Sequence, residues 1–375
     1  MANSVRQSNF ELMRIFAIIL ILLNHYVVYG LSNMTLPSSN LYYVFTHFIG
    51  GFGKLGVCFF IMITGYFMID RFSIHCKHIV RIVLDTIFYS WFFLILFLFV
   101  FPNYTNFSLM DIYKSILPVS TGGYKWFIKT YLVLYLFIPF INYIFHSCSQ
   151  KIIKFYLILF GILWYAIPTF SIKINYCFSE FVGFIYLYCL GAYINKYGIN
   201  FFDKIKNIII VLLISCSSII GYLTVCNYLN IHKHGIWLHF SNESSIFTLL
   251  IAMSLFYFFK NLNIPYNKYI NSIAASVLAV YLIQSDLKDE LWTKIFHCCS
   301  SSSFEYLIYN ILIMVVSMIC FSIIFDKLKN RLFMSKLNEI IADSKIVKYI
   351  DDNFLDMSSL KNGTTVERER ERERE

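Results

Sequence analysis

A helix needs about 20 mostly apolar residues to cross the hydrocarbon of a bilayer. Ten stretches of this chain meet that need: 10–30, 46–69, 82–101, 126–146, 153–170, 178–195, 207–227, 244–260, 270–287 and 304–325. Lipid supplies no water to satisfy a bare backbone, so each stretch reads as a helix. The expected fold is therefore all-α: a polytopic helical bundle integral to a membrane, with about ten transmembrane helices. Composition agrees, since only 14% of the 375 residues are charged and 58% are apolar, whereas soluble domains carry about 25% charged residues.

The net charge of +9 does not point to nucleic acid, because the basic residues are scattered between the apolar stretches. They sort by side instead. With the N-terminus inside, inner connections hold fifteen Lys and Arg and outer ones six: Lys114, Lys125, Lys173, Lys233, Lys288 and Lys294. Positive residues concentrate on the cytoplasmic side, so an N-in, C-in topology is expected. No small-residue cleavage site follows the first apolar run, which reads as a retained span. Of the ten cysteines, Cys58, Cys189, Cys216 and Cys320 fall in spans, where Cys acts as a small core residue. Cys298 and Cys299 are adjacent in an expected outer loop. No spacing suggests a metal site or a disulfide framework.

The first span, "ELMRIFAIILILLNHYVVYG", carries Glu11, Arg14 and His25. Charged and titratable groups in hydrocarbon are costly and tend to mark function. Eleven steps of about 100° bring Arg14 and His25 onto one helix face, separated by roughly 16 Å along the axis. Glu11 lies on nearly the same stripe. Arg14 is expected at the cytoplasmic boundary, where it either anchors the helix by snorkelling or grips a phosphate-bearing ligand. His25 is expected deep in the membrane, as a buried imidazole bonded to a neighbour or as a base. An imidazole titrates near neutrality, so it can take a proton from a hydroxyl or attack an acyl carbon.

The first span resembles that of the membrane acyltransferase 3 family, whose mark is an Arg, ten residues and a His. "GVCFFIMITGYFMI", ending in Thr64, Gly65 and Tyr66, resembles the family's second span. "KWFIKTYLVLYLFIPFIN", opening on Lys125 and Trp126, resembles another. The resemblance runs over about residues 8–325. It implies an enzyme that moves an acyl group, usually acetyl from cytoplasmic acetyl-CoA, to hydroxyls of cell-surface glycans. It implies His25 as the catalytic residue and Arg14, with Glu11, at the donor. Thr64, Gly65, Tyr66, Lys125, Trp126, Tyr281 and Gln284 become supporting motif residues. Relatives often carry His after Tyr-Leu-Ile in a late span; "VYLIQSD" has Gln284 there, which can hydrogen-bond but cannot titrate. No resident cofactor or metal is implied. Acetyl-CoA or another acyl-CoA is the co-substrate, and a carbohydrate acceptor, membrane lipid and glycan synthesis or export machinery are the expected partners. The expected location is a bacterial inner or plasma membrane, crossed many times.

Other features carry less. Lys54 in "GGFGKLG" suggests close helix approach. Lys125, Trp126 and Lys129 suggest an interfacial belt or a sugar-binding rim. His232, His234 and His239 cluster without a carboxylate beside them, as in a solvated loop. Glu180 and Asp85 lie near span ends, and "KHIVRIVLD" is a basic segment able to meet CoA phosphates. Residues 1–326 are expected to form the transmembrane acyltransferase domain and 327–375 a polar cytoplasmic tail. That tail ends in a Glu-Arg alternation after Val366, which a slippage-prone GA dinucleotide repeat would encode. Two competing classes are a polysaccharide exporter or proton-coupled transporter, with Arg14 and His25 as a relay, and a non-catalytic scaffold. Transporters often show internal repeats, and none is visible here.

Overall fold

A computed structural model describes residues 6–31, 39–100, 109–119, 125–171, 178–231, 234–286, 292, 296, 303–334, 337, 340–341 and 344–351. The Glu-Arg tract, Cys298, Cys299, His232, Lys173, Lys233, Lys288, Lys294, Lys336 and the side chain of His234 lie outside them. The described residues are helical throughout, with short connections. In chain order the helices are α1 Ser8–Gly30, α2 Asn40–Met68, α3 Cys76–Val100, α4 Leu109–Ile116, α5 Trp126–Ser147, α6 Gln150–Phe170, α7 Glu180–Lys196, α8 Ile205–Tyr228, α9 Ile246–Asn261, α10 Lys268–Ala274, α11 Val277–Asp286, α12 Phe304–Met334 and α13 Lys345–Ile350.

Seven of these are long and apolar enough to cross a membrane: α1, α2, α3, α5, α6, α8 and α12. Of the ten expected stretches, seven meet this measure of length and apolarity among the described residues. The stretches at 178–195 and 244–260 become α7 and α9, helices of 17 and 16 residues. The third, 270–287, is broken at Ala275 and Ser276 into α10 and α11. The reason is position. α7 is buried along most of its length, so it is solvated by protein rather than by the full thickness of lipid. The break is tolerated because Ser276 Oγ donates to Asp326 Oδ2 at 3.0 Å, and irregular backbone inside a membrane fold is permitted where protein buries it.

α2 is the central element, packed on α1, α7 and α9. Its crossing with α7 is unusually close: a Cβ on Gly65 would overlap the Tyr188 carbonyl, and one on Gly191 would overlap the Met62 carbonyl. Small residues permit this approach, which is how membrane helices gain packing without a hydrophobic drive between them. Asn142 on α5 completes the joint. Its amide donates to Met68 O at 2.7 Å and Arg71 O at 2.8 Å, and its carbonyl accepts from Tyr188 Oη at 2.7 Å. Helix starts are capped by side chains, among them Ser149, Ser179, Ser245, Asn267 and Ser303, which satisfy otherwise orphaned amides. The outward faces of α6, α8 and α12 display exposed apolar residues such as Phe155, Leu213, Ile214, Val316 and Ile324, a lipid-facing belt.

Candidate active site

Arg14, from the stripe read on α1, lines a cavity of about 340 Å³, towards the small end of ligand pockets. Arg6, Arg14, His78, Arg81, Lys329 and Asn330 line one end of it. Thr64, Phe127, Tyr131 and Tyr281 form the wall, and Ile21 lines it on α1. Arg14 Nη1 lies 3.2 Å from Glu11 Oε1. Glu11 is buried and Arg14 half-exposed, so the carboxylate holds the guanidinium while leaving part of it towards the cavity.

The polar end is neutralised unevenly. Lys329 is 3% exposed and bridges Asp85 Oδ1 at 2.6 Å and Asp326 Oδ1 at 3.0 Å. Tyr89 Oη donates to Asp326 at 3.0 Å, and Arg81 Nε stands 4.0 Å from Asp85. Asp85 and Asp326, with Glu11 behind Arg14, thus set three carboxylates against four cations, Arg6, Arg14, Arg81 and Lys329. The surplus is positive, which suits an anionic ligand.

His25 is not part of the lining. It lies four residues beyond Ile21, about 6 Å further along the axis at 1.5 Å per residue. A π-helical turn, Tyr26–Gly30, begins directly after it, an irregularity frequent at functional sites. The His25 ring is 5.0 Å from that of Tyr29 and 6.5 Å from that of Trp292, and its buried Nδ1 has no hydrogen-bond partner among the described residues. The Gln284 side chain faces the imidazole without forming a hydrogen bond of good geometry.

The structure separates the other expected site residues. Thr64 and Tyr281 line the cavity. Gly65, on another face of α2, belongs to the α7 crossing. Tyr66 packs against Phe10 and Phe256. Lys125 is buried in an ion pair with Asp286 at 2.8 Å and is bonded to Ser90. Trp126 turns away to a second, much smaller cavity, with the Lys54 ammonium 4.2 Å from its ring centroid and Lys54 paired to Glu243. His239 bonds the Thr169 carbonyl at 2.9 Å. Sequence reasoning missed Tyr131, Ser276, Asp326 and Asp286, and put Lys329 in the tail. Here α12 runs unbroken through Asp326 to Lys329. An acid at the close of an otherwise apolar span, followed three residues later by Lys, was the available signal for the last pair.

A family model described as an acyltransferase domain matches residues 7–327. No curated protein and no solved structure matches the chain. The matched span covers most of the chain and all the cavity-lining residues except Arg6, Lys329 and Asn330. The protein therefore belongs to the acyltransferase 3 family and is a membrane-embedded, multi-helix enzyme that transfers acyl groups.

Proposed function

We propose that this enzyme takes an acyl group, by default acetyl, from cytoplasmic acyl-CoA and places it on a hydroxyl of an extracytoplasmic cell-surface glycan. One observation carries the reading: a single cavity starts among Arg6, Arg14, Arg81 and Lys329 and reaches Ile21, one helical turn from His25. Guanidinium groups at the mouth suit the phosphates of CoA. The narrow wall of Thr64, Phe127, Tyr131 and Tyr281 suits the slender arm that carries the thioester. His25 then stands where the acyl carbon would arrive. Acyl-CoA is a co-substrate in this scheme, and the bilayer and the glycan assembly machinery are the surroundings. The membrane is the bacterial inner or plasma membrane.

The chemistry assigned to His25 is general base catalysis. Its imidazole takes the proton of the acceptor hydroxyl as that oxygen attacks the thioester carbon, and returns a proton to the departing thiolate. The test is mass spectrometry of surface glycan from a deletion strain. The expected result is a polymer that is still exported but lacks acyl groups, restored by the wild-type gene. A strain that makes fully acylated glycan, or none at the surface, would refute the reading, the second outcome indicating an exporter.

A further inference from the structure

We propose that Gln284 is a catalytic residue: its side-chain N–H donates to the thioester carbonyl oxygen as that oxygen takes up negative charge. The proposal rests on the acyl-CoA reading above and extends it by assigning the oxyanion donor. Gln284 is 1% exposed, and neither its Nε2 nor its Oε1 has a hydrogen-bond partner among the described residues. A buried amide left unsatisfied at both ends is destabilising, and native proteins rarely keep one without a use. It faces His25, whose buried Nδ1 is equally unpartnered.

Register places this pair just beyond the cavity, whose lining includes neither residue. On α11, Val277 and Tyr281 line the cavity, and Gln284 continues the same stripe at positions i, i+4 and i+7. On α1, Arg14 and Ile21 line it, and His25 continues that stripe. The two lining stripes therefore end on the two unpartnered groups. A thioester that enters from the cationic end and passes beyond this lining meets a base and a neutral donor standing beside each other.

The step balances without a further reactant. The acceptor oxygen bonds to the acyl carbon while its proton passes to His25. The carbonyl π pair moves onto the carbonyl oxygen, where the Gln284 N–H meets it. The pair returns, the carbon–sulfur bond breaks, and the thiolate takes the proton from the imidazolium and leaves as CoA thiol. A neutral amide suits this task because it donates at every pH at which His25 is a base.

The experiment uses the full chain in lipid nanodiscs, acetyl-CoA as donor and glycan from the deletion strain as acceptor, with CoA thiol release and thermal unfolding both measured. Gln284→Met keeps the shape and removes the donor. The expected result is a kcat lower by about 10²–10³-fold, as for loss of one oxyanion donor, with the KM for acetyl-CoA changed by less than about threefold. The melting temperature stays equal or rises, because an unsatisfied buried amide has been removed. Gln284→His, which keeps a ring N–H, recovers activity and adds a second limb to the pH–rate profile. Wild-type kcat in Gln284→Met, or a loss that only tracks the amount of folded protein, overturns the proposal. His25→Ala separates the two readings. If it is dead and Gln284→Met is fully active, only the role of Gln284 falls; if wild type releases no thiol from acetyl-CoA, the acyl-CoA reading falls and Gln284 with it.

Discussion

At the scale of single residues, Arg14 and His25 divide the work along one helix face in the proposed scheme. His25→Ala is expected to lower acylation by about 10²–10⁴-fold, the usual worth of a positioned base, while the protein still inserts. Glycan acylation near the wild-type level in this variant would sink the base assignment. Arg14 acts on the donor alone in the proposed scheme. Arg14→Lys loses the planar fork, so the KM for acyl-CoA should rise, and Arg14→Ala should raise it further, with kcat less affected. Donor dependence unchanged in both variants would leave Arg14 as an anchor paired to Glu11. Both residues were legible from spacing, because helix periodicity alone puts them on one stripe. Gln284 was legible only as a motif position. Nothing local in "VYLIQSD" says that its amide faces His25 from a helix 259 positions away.

Among the elements, the crossing of α2 and α7 decides where Thr64 sits. With Gly65 pressed on the Tyr188 carbonyl, the adjacent Thr64 turns to the cavity. Gly65→Leu should force the helices apart and destabilise the fold by at least about 1–3 kcal/mol, as overpacking does. Thermal unfolding in detergent would measure this, and an unchanged midpoint would contradict the close approach. A second joint involves α13. Asp351, just past it, accepts from the Cys76 amide at 2.6 Å and stands 3.5 Å from His75 Nδ1. It caps α3 from a distant part of the chain. Asp351→Ala should weaken the start of α3 by about 0.5–2 kcal/mol, seen as faster hydrogen exchange at the Cys76 amide. Equal exchange in both proteins would show that the cap contributes nothing. Sequence alone marked the helices but not these joints, since a glycine in a span announces close approach without naming the partner.

For the whole molecule, Lys329 ties the last span to α3 through Asp85 and to its own helix through Asp326. Removing one partner of a buried ion network leaves uncompensated charge, so Lys329→Met should cost about 3–5 kcal/mol. A melting temperature equal to wild type would argue that the network is not closed in the membrane. Among the described residues the supports of the site end at Asp351, ahead of the Glu-Arg tract that begins after Val366. A chain stopped after Val366 should therefore keep wild-type acylation, whereas one stopped after Ser344 loses the Asp351 cap. An inactive chain ending at Val366 would show that the tract is needed. Sequencing the DNA across these codons tests the slippage idea separately, because mixed codons without a dinucleotide run would end it.

The sequence by itself determined that the chain is helical and lives in a membrane, and that Arg14 and His25 share a face. These follow from local physics: the lack of water in lipid compels helices, and a rise of about 1.5 Å with about 100° per residue sets the stripe. The tertiary structure alone decided which apolar helices are buried among others, as α7 is, and which turn apolar faces outwards, as α8 does. It decided that Gly65 is a packing residue and Thr64 a lining one. It also decided which charges meet, Lys329 with Asp85 across 244 positions and Lys125 with Asp286 across 161. Partners so far apart in the chain are chosen by how the helices pack against one another, and no period along one helix carries that information.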